Sequence, residues 1–340
     1  MEKSAPKLLL TSSPFLKQQE DTPAVMRQVI FSLIPAILAG IYYFGISGIL
    51  VIAASIAGAV GTEWIYLIGT KKKFNSIKDN TALLTGLLLA LTLPPGIPLW
   101  MAFLGGIVAI ALGKLIFGGI GSNIFNPALV GRAFLQASFP VALTTWSPIS
   151  DFSGITQLRG HTFALPFVQS KIDAITAATP LSQMKFDSHL TELTHLFFGS
   201  SAGSLGETGA IFLLLGGIYM VLRNYINWRI PLGVFFMVII FASVLHGVDP
   251  VKFAPASFHL FSGGLMLGAI FMATDPVSSP ITHKGCWIFG MGIGFLVVLI
   301  RTFGGLPEGV MYAILLMNGV TPLINRVTQP PIYGYVKSKN

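Results

Sequence analysis

Long apolar runs constrain this chain more than any other feature. Stretches near 20 residues recur along its 340 positions, and each is long enough to cross about 30 Å of hydrocarbon as a helix. About ten can be read, near 26–45, 47–69, 80–98, 99–118, 125–142, 209–224, 229–247, 257–275, 285–303 and 308–325. Only 10% of residues are charged and 53% are hydrophobic, where a soluble domain carries about 25% charged residues. The expected fold is therefore all-α, a polytopic membrane protein. In the first 25 residues the one apolar run is too short and too interrupted by proline for a signal peptide. Membrane entry is expected to begin with the first span.

The net charge of +8 does not gather into a nucleic-acid patch. "TKKKFNSIK" (70–78), "LRNYINWR" (222–229) and "THKG" (282–285) follow spans two, six and eight, which is the pattern that positive-inside topology produces. These loops share a side with both termini, and that side is read as the cytoplasm. The domain reading follows: a cytoplasmic segment 1–25, a first half 26–142, an outer loop 143–208, a second half 209–325 and a cytoplasmic tail 326–340, in the cell's inner (plasma) membrane. The single cysteine, Cys286, excludes an intrachain disulfide and any all-cysteine zinc or iron–sulfur site. The histidines show no ligand spacing, so no metal is expected.

Five spans precede the outer loop and five follow, so repeated halves would be inverted. Span four ends in "GKLIFGG" (113–119) and span nine in "IRTFGG" (300–305), each with a base shortly before Phe-Gly-Gly. The third span of each half is interrupted, by "LTLPPGIP" (91–98) and by "MATDPVSSP" (272–280). Proline cannot donate the helical hydrogen bond, and freed backbone groups in hydrocarbon need protein or a cavity to satisfy them. Broken spans three and eight therefore point to a central binding site, ordinary helix ends at the interface being the other reading.

Few ionisable residues fall in or beside the spans: Glu63, Asp79, Lys114, Arg132, Glu207, Asp275 and Arg301. Each must snorkel, pair or line a polar cavity. Asp275, beside Thr274, Ser278 and Ser279, reads as a cap or a ligand contact rather than a cation site. Arg132, six residues after Asn126, either anchors a ligand through its planar fork or holds helices together. In the outer loop, "DAITAATPLS" (173–182) is a run of small and hydroxyl residues in the only long loop, a place where function is more common than in short connections.

In combination, "SNIFNPALVGRAFL", "TALLTGLLLALTLPP", "NWRIP", "MATDPVSSPIT" and "DAITAATPL" resemble the RnfD and NqrB family. These are membrane subunits of the Rnf ion-translocating ferredoxin:NAD oxidoreductase and of sodium-translocating NADH:quinone reductase. The resemblance covers nearly the whole chain and is closer to RnfD. It implies FMN joined through a phosphoester to Thr179, in a motif formed here by Asp173, Thr176, Ala177, Ala178 and Thr179. Ala177 departs from the glycine or serine frequent at its position. A threonine hydroxyl is a poor nucleophile at neutral pH, so the loop would be the substrate of a flavin transferase.

The resemblance further implies a non-covalent riboflavin, for which Asn126, Arg132 and Asp275 are the candidate contacts. It also implies membership of a complex with the A, B, C, E and G subunits of Rnf, especially G, which bears the other covalent FMN. Electrons would pass along flavins while the assembly moves Na⁺ or H⁺. The competing reading is a secondary transporter or channel without redox chemistry, which inverted halves with broken helices would equally suit.

Overall fold

Hydrocarbon offers no partner for a backbone N–H or C=O, so a lipid-embedded segment must satisfy its own. The computed structural model describes residues 21–71, 79–148, 156, 158–166, 177–207 and 209–329, and within them every regular element is helical. Five helices are long and apolar enough to span a membrane: α1 (Thr22–Phe44), α2 (Ile46–Thr70), α10 (Arg229–Val248), α13 (His283–Phe303) and α14 (Val310–Val327). Their outward side chains, among them Phe31, Leu38, Ile65, Phe236 and Leu323, are exposed. Apolar surface on that scale suits lipid rather than water.

The other five expected spans are shorter or divided, and proline and glycine account for most of the divisions. Helix α3 (Thr81–Leu91) stops at the "TLPPGIP" stretch before α4 (Leu99–Gly113). Span five becomes α5 (Pro127–Ser138) and α6 (Pro140–Thr144). Two short helices of the outer loop follow, α7 (Pro180–Asp187) and α8 (Leu193–Phe198), and then α9 (Ala210–Leu222). Span eight is broken twice: α11 (Ala256–Phe261), a turn at 262–264, α12 (Leu265–Leu267) and a π-helical turn (Gly268–Met272) precede the Pro276 stretch. Gly263 in that turn has φ +62°, a conformation that costs glycine little.

Within each half the second and fourth spans pack closely, α2 on α4 and α10 on α13. A Cβ at Gly58 would overlap the carbonyl oxygen of Phe103, and one at Gly290 that of Ile230. Small residues that let backbones meet are the usual means of helix association in lipid.

Two ends of the bundle can be told apart. At the basic end the 223–229 turn, the start of α13 and the end of α14 are tied together, with Asn227 Nδ2 donating to Cys286 Sγ at 3.2 Å and the Ile281 amide to Asn325 Oδ1 at 3.1 Å. At the loop end the Gly206 amide donates to the Leu91 carbonyl at 2.7 Å and the Leu99 amide to the Thr162 carbonyl at 3.0 Å. The interruption after α3 therefore lies buried beneath the long 143–208 loop. The Thr274–Pro280 interruption of span eight lies at the basic end. The two proline interruptions occupy opposite ends instead of meeting at one central site, while the other break of span eight, at 262–264, shares the loop end with the first: Gly206 packs against both Leu91 and Leu267.

Candidate functional site

Thr179 is the N-cap of α7, with extended backbone (φ −72°, ψ 155°) and Pro180 in the first helical turn. Its Oγ1 accepts from the Ser182 amide at 3.2 Å and lies 2.9 Å from Ser182 Oγ, the arrangement that satisfies an otherwise orphan helix donor. The amphipathic residues after it dock the helix: Leu181 and Met184 pack with Leu196, Ala254 and Phe258 in a small core separate from the main one. Lys185 completes the attachment. Its Nζ donates to the carbonyls of Arg301, Gly304 and Leu306 at 3.0, 2.5 and 2.9 Å, which α13 leaves free at its C-terminal end. Burial lowers the Lys185 pKa from its ordinary value.

Docking leaves a pocket of about 320 Å³ directly against Thr179. Trp146, Leu181, Leu196, Phe261, Met311 and Tyr312 form much of its lining, and Arg132, Glu207 and Glu308 supply charge. Arg132 Nη2 donates to Glu308 Oε2 at 2.9 Å, while its Nη1 stands 3.7 Å from Glu207 Oε1. Glu308 Oε1 also accepts the Gly264 amide at 2.6 Å. Across the same broken turn, Arg301 donates to the carbonyls of His259 and Ser262 at 2.6 and 2.9 Å. The interruption of span eight is thus stitched by one acid and one base.

Glu207 is held differently from Glu308. Its side chain is 6% exposed, yet Oε1 makes no hydrogen bond among the described residues. Burial, and then the charge of Glu308, push its carboxyl up to about 8, against the opposing pull of Arg132. Neighbouring carboxylates that share one cation tend to divide in this way, one ionised and one protonated.

At the basic end a smaller cavity of about 110 Å³ is lined by Asn123, Asn126, Thr274, Asp275 and the Thr81–Leu88 face of α3. Asn126 caps α5, accepting from the Ala128 and Leu129 amides at 3.0 and 3.4 Å, and its Nδ2 donates to the Met272 carbonyl at 3.1 Å. That last bond satisfies backbone freed where span eight breaks. Asp275 accepts from Ser278 Oγ at 2.9 Å, as a local cap would. Lys114 reaches into this region and pairs with Glu63 at 2.6 Å and Thr81 Oγ1 at 2.8 Å.

The candidate residues therefore separate. Thr179 and Arg132 share the loop-end pocket, whereas Asn126 and Asp275 belong to the basic-end cavity. Ala178 borders a neighbouring open cleft together with Ala177, Gln183, His195 and Ser200. Asp173 and Thr176 lie outside the described residues, as do the 72–78 basic loop, the first 20 residues and the tail from 330. Glu308 escapes a reading of the sequence because "GGLPEG" looks like an ordinary exposed turn. A second acid in so sparse an inventory, so close to a span, is the signal available.

A helical bundle with five helices long and apolar enough to cross a membrane has the architecture of a polytopic membrane protein. The chain belongs to the NQR2, RnfD, RnfE family, whose profile matches residues 9–334. It is 42% identical over 335 residues to the D subunit of the proton-translocating ferredoxin:NAD(+) oxidoreductase complex of Clostridium ljungdahlii, covering 96% of each chain. With the D subunit of the Na(+)-translocating ferredoxin:NAD(+) oxidoreductase complex of Acetobacterium woodii it shares 39% identity over 336 residues, 98% of this chain and 97% of that one. The D subunit of an ion-translocating oxidoreductase complex of Stutzerimonas stutzeri is 40% identical over 91% of both.

Proposed function

We propose that this chain is the D subunit of an Rnf-type ion-translocating ferredoxin:NAD oxidoreductase, an electron-transfer subunit that carries FMN esterified to Thr179. The observation that carries the reading is the position of the Thr179 hydroxyl, buried to 9% exposure at the mouth of a pocket within the size range of about 300–1,000 Å³ usual for small-molecule sites. The residues present fit the group. Aromatic and aliphatic walls suit a flat ring system, and an ester phosphate on Thr179 would stand at the N-terminus of α7, where the Ser182 amide that now donates to Oγ1 could turn to it, as helix N-termini do for anions. Arg132 lines the same pocket and would supply a positive charge to the bound group. FMN, when bound, supplies the one-electron chemistry; the chain binds it, orients it and keeps water from it.

Thr179 is docked, so its flavin transferase would have to meet this segment before α7 settles or after it lifts. Small flanking residues, Ala177 and Ala178, suit passage through an enzyme cleft. Riboflavin belongs to the proposal without an assigned site, because the basic-end cavity is only about a third of the volume of the loop-end pocket. We also assign the loop end to the outer side of the cell membrane and the basic end, with both termini, to the cytoplasm. The parallel packing of α2 on α4 and of α10 on α13 supports two inverted five-span halves. Partners in the reading are the A, B, C, E and G subunits of Rnf, and the ion moved is H⁺ or Na⁺.

Thr179→Ala, expressed beside a flavin transferase, tests it. The wild-type band on a denaturing gel should fluoresce, and mass spectrometry should find one FMN phosphoryl group on the peptide that contains Thr179. The variant should insert normally and stay dark. A dark wild-type protein would overturn the covalent-flavin reading and favour a transporter without redox chemistry.

A further inference from the structure

The loop-end pocket holds two carboxylates and one neighbouring guanidinium at its charged wall, and one carboxylate oxygen is left over. Arg132 is committed to Glu308 at 2.9 Å and stands too far from Glu207, at 3.7 Å, for a hydrogen bond. Glu308 is further fixed by the Gly264 amide. Glu207 Oε2 has a long contact with the Ser204 amide, 3.4 Å, and Oε1 meets no aligned donor among the described residues, while the carboxyl stands within reach of the Ser204 hydroxyl and of Glu308. An ionised oxygen buried without a donor is costly, while a protonated one can donate into the pocket it lines.

We propose that Glu207 is the proton-holding residue of this pocket, giving the proton on its carboxyl to a bound ring when that ring gains electrons and recovering it from the outer solution. The proposal rests on the flavin reading above for the identity of the ring. In the step, electrons arrive from a one-electron donor of the iron–sulfur or flavin class. The Glu207 O–H bond breaks, a bond from that hydrogen to a ring nitrogen forms, and Glu207 is left as a carboxylate. Charged groups face it from three elements. Arg132 from α5 and Arg301 from α13 offset the new charge, and Glu308 from the α13–α14 connection opposes it. His259 of α11 contributes only its carbonyl, to Arg301. Half-buried Ser201 and Ala202 line both this pocket and the open cleft beside it, which places the cleft next to the pocket that would have to recover the proton.

The placement separates this role from a structural one. Burial and the Glu308 charge already favour the protonated form, so the proton is present before any ring needs it. Glu308, by contrast, is held as an acceptor by Arg132 and the Gly264 amide.

Infrared spectroscopy on the purified full-length chain tests the proposal in two arms. In Thr179→Ala, which should lack covalent flavin, a protonated carboxyl C=O band should persist well above the pH at which an ordinary glutamate ionises and be absent from Thr179→Ala/Glu207→Gln. Glu308→Gln should lower the midpoint at which that band titrates, because a like charge is removed, which keeps the test decisive if Glu207→Gln fails to insert. In flavin-bearing protein, the reduced-minus-oxidised difference spectrum should show loss of the same band, and Glu207→Gln should abolish that loss. A band that persists in Glu207→Gln, a midpoint that Glu308→Gln leaves unmoved, or reduction that leaves the band intact overturns the proposal. The first arm needs no flavin, so failure of the FMN reading and failure of the proton site give different results.

Discussion

At the basic end Lys114 meets one acid, and at the loop end Arg132 meets two. The Lys114–Glu63 pair is short, 2.6 Å, with side chains 4% and 1% exposed, and Thr81 completes the ammonium's coordination. The charges cancel and the helices α2, α3 and α4 are joined. The Arg132 cluster lines a larger pocket, and its two acids are shared between Arg132 and, further off, Arg301. Residue types alone do not separate the two, since both are rare charges in apolar runs. Surroundings do: Thr81 closes the Lys114–Glu63 pair at 2.8 Å, while Glu207 lines an open pocket where burial and the Glu308 charge favour its protonated form.

The sharpest way to break that contrast is at the balanced pair. Lys114→Met should strand Glu63 and cost about 3–5 kcal/mol, as loss of one partner of a buried pair does. Lys114→Met combined with Glu63→Leu should regain most of it, because the desolvation penalty disappears along with the attraction. Thermal stability of the monodisperse protein in detergent would register both. If the single variant is as stable as the parent, the pair does not seal this end.

At the Arg132 cluster the loss should be smaller and should depend on pH. Arg132→Leu removes a bond between charged groups worth about 1–3 kcal/mol, but the remaining acids can share a proton and limit the damage. The sign follows from Glu207. Its carboxyl is raised from an ordinary 4.5 to about 8 in the fold, so the folded chain holds a proton that the unfolded chain sheds. Its contribution is complete below about 4.5 and erodes as pH climbs through 8. Without Arg132 that proton is held more tightly still, so the erosion continues past the point where it stops in wild type. The deficit against wild type should therefore widen as pH rises from about 7 to about 9. Melting curves across that range decide it: an unchanging deficit would mean that Glu207 does not titrate there.

How legible these clusters are depends on how local their causes are. Apolar length marks the spans, and "LTLPPGIP" marks the end of α3, because proline acts on its own turn. The turn at Ser262–Gly264 stays hidden inside "FHLFSGGLMLG", since two glycines in an apolar run read as a tolerable helix. Its stabilisers, Arg301 and Glu308, are about 40 residues away. The same holds for Arg132, whose two readings in sequence, ligand anchor and helix tie, are decided by acids at 207 and 308. Asn126 and Asp275 have firm local duties as caps, which chain spacing can suggest. That Asn126 also holds the Met272 carbonyl comes only from the assembled fold. A polar loop gives no hint that Thr179 is buried, because Leu181 and Met184 find their partners at 196, 254 and 258.

That burial sharpens the smallest expected effect. A threonine in an exposed loop should tolerate alanine within about 0.5 kcal/mol, whereas an N-cap loses about 1 kcal/mol when its oxygen goes. Thr179 Oγ1 accepts the Ser182 amide, so Thr179→Ala should lower stability by about the second figure even in protein made without flavin transferase. Thr179→Ser keeps an oxygen at the same place and should recover nearly all of it. Ser182→Ala leaves its amide to the cap and should cost less than Thr179→Ala, losing only the 2.9 Å hydroxyl contact. Comparing the three melting temperatures in flavin-free protein isolates the cap from the cofactor. If Thr179→Ala and Thr179→Ser are indistinguishable there, the cap contributes nothing, and Lys185 and the Leu181–Met184 contacts alone hold α7 over the pocket. A difference of the expected size would mean that the hydroxyl serves the fold before it serves any ligand, and that esterifying it exchanges a cap oxygen for a phosphate at the same helix end.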